Sequence, residues 1–195
     1  MKTHALILFA TLAMVLGGCA QDNVDSGARV AELESQIEKL ERDLQVFRDA
    51  EVTVERNLER FGELDLTAFN NRDWDLIKQI HHEDVKAMGG DGHVAEGMEP
   101  AHEWDLHFLF ETFPDYRINE HLIKFGAGEW TAGLSSATGT FTEPMVLRDG
   151  TTLQPTGKSF ELKAITLARW ENGRILEEYI FWDNAHLFQQ LGLAN

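Results

Sequence analysis

The chain has 195 residues, 43% of them hydrophobic, 10% aromatic and 26% charged, which indicates one globular domain with attachments and excludes a disordered tail or a multi-span membrane protein. Seventeen Lys and Arg against 33 Asp and Glu give a formal charge of −16. An acidic surface repels phosphate, so this charge excludes nucleic-acid binding as a main role and adhesion to anionic lipid through a basic face.

The N-terminus has the layout of a secretion signal. Residues 5–16 carry no charge and lead into Leu16-Gly17-Gly18-Cys19, a segment too short to span a bilayer. Leucine three residues before cysteine resembles the bacterial lipobox, in which Cys19 is acylated and becomes the mature N-terminus. We therefore predict a signal peptide over residues 1–18 and a lipid anchor, palmitate included, at Cys19. The alternative is an ordinary buried cysteine behind an unprocessed helix.

The anchor has consequences for location and chemistry. Ala20 stands where an aspartate would resemble an inner-membrane retention signal, so a lipoprotein of the outer membrane that faces the periplasm is expected in a Gram-negative host. A lipidated cysteine cannot be a nucleophile or a metal ligand, so thiol catalysis is not expected.

The segment after the anchor changes from polar to heptad-like. Residues 19–27 are small and polar and predict a flexible tether. Residues 28–61 predict a helical stalk whose apolar residues recur at three- and four-residue steps, the period of a coiled coil. These residues are Val30, Leu33, Ile37, Leu40, Leu44, Phe47, Val54, Leu58 and Phe61. The pattern favours a homodimer; the alternative is an amphipathic helix packed on its own domain.

Residues 54–195 predict an α+β domain. Two short helices, Trp74–His81 with Asp73 as its cap and Pro100–Phe113, follow the first one, and a Gly-rich turn at 89–92 lies between them. Period-two segments then predict strands at 116–125, 129–141, 158–170 and 174–183, and a short helix at 185–191 ends the chain. Asn172-Gly173 predicts a tight hairpin. Because three helices precede the antiparallel sheet, we expect the helices to cover one face of the sheet. A curved sheet that is closed by helices leaves a cavity between them.

An ordered series of short motifs carries a family resemblance. They are Asn70…Asp73, Phe113-Pro114-Asp115, Thr138-Gly139-Thr140, Pro155-Thr156-Gly157-Lys158, Asn172-Gly173-Arg174-Ile175, Glu177, and Asp183 through Gln190-Leu191-Gly192. Over residues 54–193 the chain resembles SnoaL-like ester cyclases, the polyketide cyclase-like family of the nuclear-transport-factor-2-like (NTF2-like) superfamily. The resemblance implies a cone-shaped fold and a cofactor-free intramolecular aldol closure inside the cone.

The last predicted strand carries the candidate site. Glu177, Tyr179, Phe181 and Asp183 share one parity and hence one sheet face. The resemblance gives Asp183 the acid–base role, which requires a partly desolvated carboxylate; the alternative for Asp183 is a cap on the final helix. Glu177, Tyr179 and Phe181 are expected to line the substrate cavity beside it; the alternative for Glu177 is a surface strand carboxylate that orients or pairs. We expect three further residues to line the same cavity, with an ordinary place in the core of the sheet as the alternative: Trp130, Thr138 and Thr140.

Two histidine clusters invite a metal interpretation. They are His81, His82, Glu83 and Asp84, and His102, Glu103 and His107. His102 and His107 are five residues apart, so on a helix their side chains point about 140° away from each other. We expect both clusters to lie on a solvated helix surface. Neither a metal nor a cofactor is predicted.

The resulting functional prediction has two forms. The first is an anchored acid–base enzyme acting on a small hydrophobic carbonyl or ester compound, although Phe141 stands where many family members have histidine. The alternative is a non-catalytic binding protein for such a ligand in the cell envelope. A structural oligomer built from stalk and sheet is a third use of the same fold.

Overall fold

The computed structural model describes the backbone of residues 4–90 and 92–193 and the side chains of residues 26–90 and 92–193. The chain divides into two units, residues 1–49 and 50–195. Within the described part, no helix is long and apolar enough to cross a membrane. The predictions on the signal peptide and on Cys19 concern side chains outside the described residues.

Four α-helices and eight strands make up the described chain. The helices are α1 (His4–Glu63), α2 (Trp74–Ile80), α3 (Glu103–Thr112) and α4 (Asn184–Leu191), and π-helical turns lie at Leu64–Phe69 and Met98–His102. The strands are β1 (His81–Met88), β2 (Val94–Glu96), β3 (Arg117–Ala127), β4 (Trp130–Thr140), β5 (Met145–Val146), β6 (Thr152–Leu153), β7 (Ser159–Glu171) and β8 (Arg174–Trp182).

The main sheet is curved and mixed. Its strand order is β2-β1-β8-β7-β4-β3, and β5 and β6 form a separate hairpin. The four long strands pair antiparallel as predicted, but β1 runs parallel to β8, with Ala87 opposite Glu178. The prediction of a purely antiparallel sheet is therefore wrong at this pair, because a partner some 90 residues away along the chain leaves no local signal.

Local sequence signals form the ends of the elements as expected. The Asp73 side chain accepts a hydrogen bond from the Leu76 backbone N–H at 3.0 Å and caps α2. Asn172 and Gly173 both have positive φ, 51° and 76°, the geometry of a two-residue turn that matches strand twist, and they join β7 to β8.

The helices cover one face of the sheet. Phe61, near the C-terminal end of α1, is fully buried, and its ring lies against Gly133 of β4, where a Cβ would come within 3.0 Å of the ring Cζ. The glycine at 133 is thus required by the close approach of helix and sheet.

A second hydrophobic cluster, around Phe113, Phe141 and Phe160, lies under the β5–β6 hairpin and α4.

The apolar seam of the predicted stalk is exposed in the residue 1–49 unit. Six of its members are 47% to 71% exposed: Val30, Leu33, Ile37, Leu40, Leu44 and Phe47. The homodimer stays a prediction that rests on this seam.

Candidate functional site

The predicted substrate-binding residues lie on the face of the sheet that points away from the helices. On the helix-covered face of β4 every residue is buried: Thr131, Gly133, Ser135, Ala137 and Gly139. Trp130, Thr138 and Thr140 alternate with them and point to the opposite face, on which Ser136 is also buried. The expectation that these three side chains line an interior cavity is therefore wrong for their orientation. Both faces of β4 carry apolar and polar residues, so alternation alone does not identify the inner one.

A bulge sets the orientation of β8. Trp170 pairs with Ile175 and Arg169 with Glu177, so β8 holds one extra residue at this point. Beyond it, Glu178 is buried, whereas Glu177, Tyr179 and Phe181 face outward. These three share one face, as predicted, but it is the outer face.

The outward residues pair with one another. Arg169 donates to Glu177 Oε1 at 2.6 Å and 2.9 Å, and the Tyr179 hydroxyl donates to Glu177 Oε2 at 3.1 Å. The hydrogen bond from Arg169 holds the pKa of Glu177 below its usual range. The Trp130 and Tyr179 rings lie 6.2 Å apart. Thr140 donates from its backbone N–H and its hydroxyl to Asp115, both at 2.7 Å.

Asp183 is exposed and caps the last helix. Its carboxylate accepts a hydrogen bond from the His186 backbone N–H at 2.9 Å, in the N-cap position of α4. Asp183 therefore caps α4, which was the alternative to its acid–base role. An exposed carboxylate lacks the desolvation that a general base for enolisation requires.

Asp65 is one of two buried carboxylates in the described part of the domain, and Glu178 is the other. Asp65 lies in the π-helical turn after α1, is 5% exposed, and its Oδ2 is 2.8 Å from His121 Nε2 of β3. The Ser135 hydroxyl of β4 donates to the same oxygen at 3.4 Å. Burial raises the pKa of Asp65, and the hydrogen bond and charge of His121 act against this rise. The Phe61 ring stacks on the imidazole at 5.0 Å between centroids.

Sequence reasoning did not single out this pair. The sequence does contain a signal for Asp65. Phe61, Asp65 and Phe69 follow one another at four-residue steps, so Asp65 stands at a buried position of an apolar helix stripe. His121 lies between two register shifts of β3, so its orientation could not be read from alternation.

The two histidine clusters are also placed differently from expectation. His81 begins β1 and His102 ends a π-helical turn; both are buried, 1% and 2% exposed, and lie near Glu178. The prediction of a solvated helix surface is wrong for these two residues because neither lies on a regular exposed helix. His107 does lie on α3, with a side chain 46% exposed.

A surface cleft of about 840 Å³ lies between α3 and the β5–β6 hairpin. Trp104 and Phe108 stack 5.8 Å apart along α3 and give it an aromatic lining. His107 and Glu111, one helical turn apart, also line it. The Arg148 guanidinium on the hairpin side lies 5.3 Å from the Trp104 ring centroid. The cleft thus combines an apolar surface with charged groups.

Comparison with known proteins identifies the family of the chain and structures with a similar fold. A family model for the SnoaL-like polyketide cyclases matches residues 63–191. A Jannaschia sp. CCS1 structure, with a proposed assignment as a SnoaL-like polyketide cyclase, superposes with a TM-score of 0.63 at 19% identity, covering 73% of this chain and 95% of its own. IdmH from Streptomyces antibioticus, proposed to be a polyketide cyclase, gives 0.58 at 23% identity, with 70% and 98% covered.

A third structure contains a small molecule. It has a ketosteroid-isomerase-like fold, comes from Catenulispora acidiphila DSM 44928 in complex with trimethylamine, and gives a TM-score of 0.53 at 14% identity, with 66% of this chain and 88% of its own covered. Comparison with curated proteins gives no match. At these identities the solved structures establish the fold alone.

Proposed function

The chain belongs to the SnoaL-like polyketide cyclase family, and on this premise we propose that it is an acid–base enzyme of the ester-cyclase type acting on a small hydrophobic carbonyl or ester compound. The observation that carries the proposal is the Asp65–His121 pair, a buried carboxylate 2.8 Å from an imidazole on the helix-covered side of the sheet. Paired titratable groups in a desolvated environment are typical of proton-transfer sites.

The pair assigns a role to each atom. When His121 Nε2–H donates to Asp65, the free lone pair is on Nδ1, which is the atom able to take a proton from a carbon next to a carbonyl. The resulting enolate attacks a second carbonyl carbon of the same substrate, and the imidazolium returns its proton to the new alkoxide. Asp65 is then a positioning residue: it holds the ring and stabilises its charged form.

The alternative function, a binding protein without turnover, is favoured by the cleft at α3. Trp104 and Phe108 offer an aromatic surface to a hydrophobic ligand, and the Arg148 guanidinium, ion-paired with Asp105 at 2.7 Å, adds a polar edge to the cleft. The cleft and the Asp65–His121 pair share no residue, so the two functions can be tested by separate variants.

Exchange of α-protons is the direct test of the enzymatic proposal. An aromatic β-keto ester in D₂O, followed by NMR, should exchange faster with the wild-type protein, and His121→Gln should lower that acceleration about 10²–10⁴-fold. Asp65→Asn keeps an acceptor for the ring but no charge, and should lower it as well. His186→Gln, an exposed histidine on α4, is the matched control.

Two results would contradict the enzymatic proposal. One is exchange by His121→Gln at the wild-type rate. The other is wild-type protein that binds the ester, seen by tryptophan fluorescence, without accelerating exchange. If Trp104→Ala then abolished this binding and His121→Gln left it intact, the binding-protein function would replace the enzyme.

We further propose that the protein is a lipoprotein attached to the outer membrane through Cys19, facing the periplasm. The support is the lipobox-like sequence Leu16-Gly17-Gly18-Cys19 after an uncharged segment. Cys19→Ser should remove the protein from the outer-membrane pellet, because acyl chains supply the attachment. A variant that still sediments with outer membranes would contradict this proposal.

A further inference from the structure

Three buried side chains from three different elements converge beside β8. They are His81 at the start of β1, His102 at the end of the π-helical turn before α3, and Glu178 of β8, each at most 3% exposed. Glu178 Oε2 lies 3.7 Å from His81 Nε2 and 3.6 Å from His102 Nε2. One nitrogen or oxygen atom from each of the three lies within 4.8 Å of the others.

The facing atoms have no hydrogen-bond partner. His81 Nε2, both ring nitrogens of His102 and Glu178 Oε2 are buried without one, and separations of 3.6 and 3.7 Å are too long for hydrogen bonds. Buried polar atoms in native proteins are almost always paired, so this concentration of unpaired atoms within one cluster requires an explanation.

The hydrogen bond of His81 determines which of its ring nitrogens faces Glu178. His81 Nδ1 is 2.8 Å from the Ile77 carbonyl oxygen, which can only accept, so the Nδ1 atom carries the proton. When the ring is neutral, its Nε2 lone pair points toward Glu178.

We propose that His81 Nε2, His102 Nε2 and Glu178 Oε2 bind one divalent transition-metal ion of the Zn²⁺ type. Two imidazoles and a carboxylate are a ligand set that suits such ions. Ligands about 2.0–2.1 Å from a tetrahedral metal lie about 3.3 Å apart. The two Glu178 separations therefore need to close by a few tenths of an ångström, and the two imidazole nitrogens, which lie within 4.8 Å of each other, by up to about 1.5 Å. The Ile77 carbonyl would fix the His81 ring, as outer partners of metal-bound histidines do.

The site is separate from the acid–base pair and has a structural role. The ion replaces missing hydrogen bonds and links β1, the turn before α3 and β8. Three protein ligands leave the fourth tetrahedral position to a water molecule. Because the three side chains are buried, the ion acts on the stability of the folded chain.

Metal uptake by the full chain tests the proposal. After treatment with a chelator at neutral pH, the protein should bind one Co²⁺ per chain with the visible absorption of a low-symmetry site, and Zn²⁺ should displace it. Glu178→Gln preserves the size of the side chain and should weaken binding by more than about 100-fold. His82→Gln removes the neighbouring, partly exposed histidine and should bind like the wild type. Zn²⁺ should raise the Tm of the wild type and of His82→Gln only.

A failure of the site is distinguishable from a failure to fold. His102→Gln repeats the test if Glu178→Gln does not yield folded protein, and circular dichroism of each variant checks this. Wild-type protein that takes up neither Co²⁺ nor Zn²⁺ would overturn the proposal and leave a shared proton between Glu178 and His81. Equal uptake by folded Glu178→Gln or His102→Gln would also overturn it. Metal uptake is measured without an ester substrate, so its outcomes are read separately from those of the α-proton exchange assay.

Discussion

Replacing Asp65 with alanine should destabilise the domain strongly. The carboxylate is 5% exposed and accepts hydrogen bonds from His121 at 2.8 Å and Ser135 at 3.4 Å. Asp65→Ala leaves a buried imidazole and a buried hydroxyl without this acceptor, and breaking a buried pair by removing one partner costs about 3–5 kcal/mol. Because burial raises the pKa of Asp65, the carboxylate carries a desolvation cost in the wild type, so we expect the lower end, about 3 kcal/mol.

Urea unfolding followed by tryptophan fluorescence measures this loss. All five tryptophans lie in residues 50–195, so the signal reports the domain and not the first part of α1. Glu63→Ala is the matched control, because this carboxylate lies two residues earlier and is exposed. Its free energy of unfolding should stay within about 0.5 kcal/mol of the wild type. A loss in Asp65→Ala no larger than that of Glu63→Ala would refute the pairing argument.

Three further predictions concern the cap, the sheet and the stalk. Asp183→Ala should lower the free energy of unfolding by about 1 kcal/mol, while Asp183→Asn, which can still cap α4, should change it little; equal losses would contradict the cap. Gly133→Ala should cost about 1–3 kcal/mol, because its Cβ meets the Phe61 ring, whereas Gly90→Ala meets only ordinary contacts at 3.7 Å or more; equal urea midpoints would disprove the clash. Leu40→Lys should lower the sedimenting mass to that of a monomer if the seam of α1 joins two chains, and an unchanged mass would exclude this seam.

Features encoded over a few residues were predictable. Asp73 caps α2, and Asn172-Gly173 turns β7 into β8 at the expected residues. The strands β3, β4, β7 and β8 lie within a few residues of their period-two segments. These features depend on backbone preferences and hydrogen bonds between near neighbours, so the sequence alone specifies them. The family resemblance added the cone, which the family model and the superpositions support.

The site depended on contacts that no local pattern contains. Along β4 the outer face carries Trp130 and Leu134, whereas the inner face carries small residues such as Gly133 and Ser135, because the Phe61 ring of α1 fills that space. The more hydrophobic face of this strand is therefore the outer one, which reverses the usual inference from alternation.

Contacts between residues distant in the sequence also form the acid–base pair and the buried cluster of His81, His102 and Glu178, so no local pattern predicted either. Asp65, His121 and Ser135 are brought together from positions up to 70 residues apart, and Glu178 becomes an inner residue only because a bulge precedes it in β8. The sequence by itself determined the four long strands, the Asn172-Gly173 turn, the helix caps and the family resemblance. Only the tertiary structure decided which face of the sheet is inside, because that choice depends on which helix side chains fill the cone.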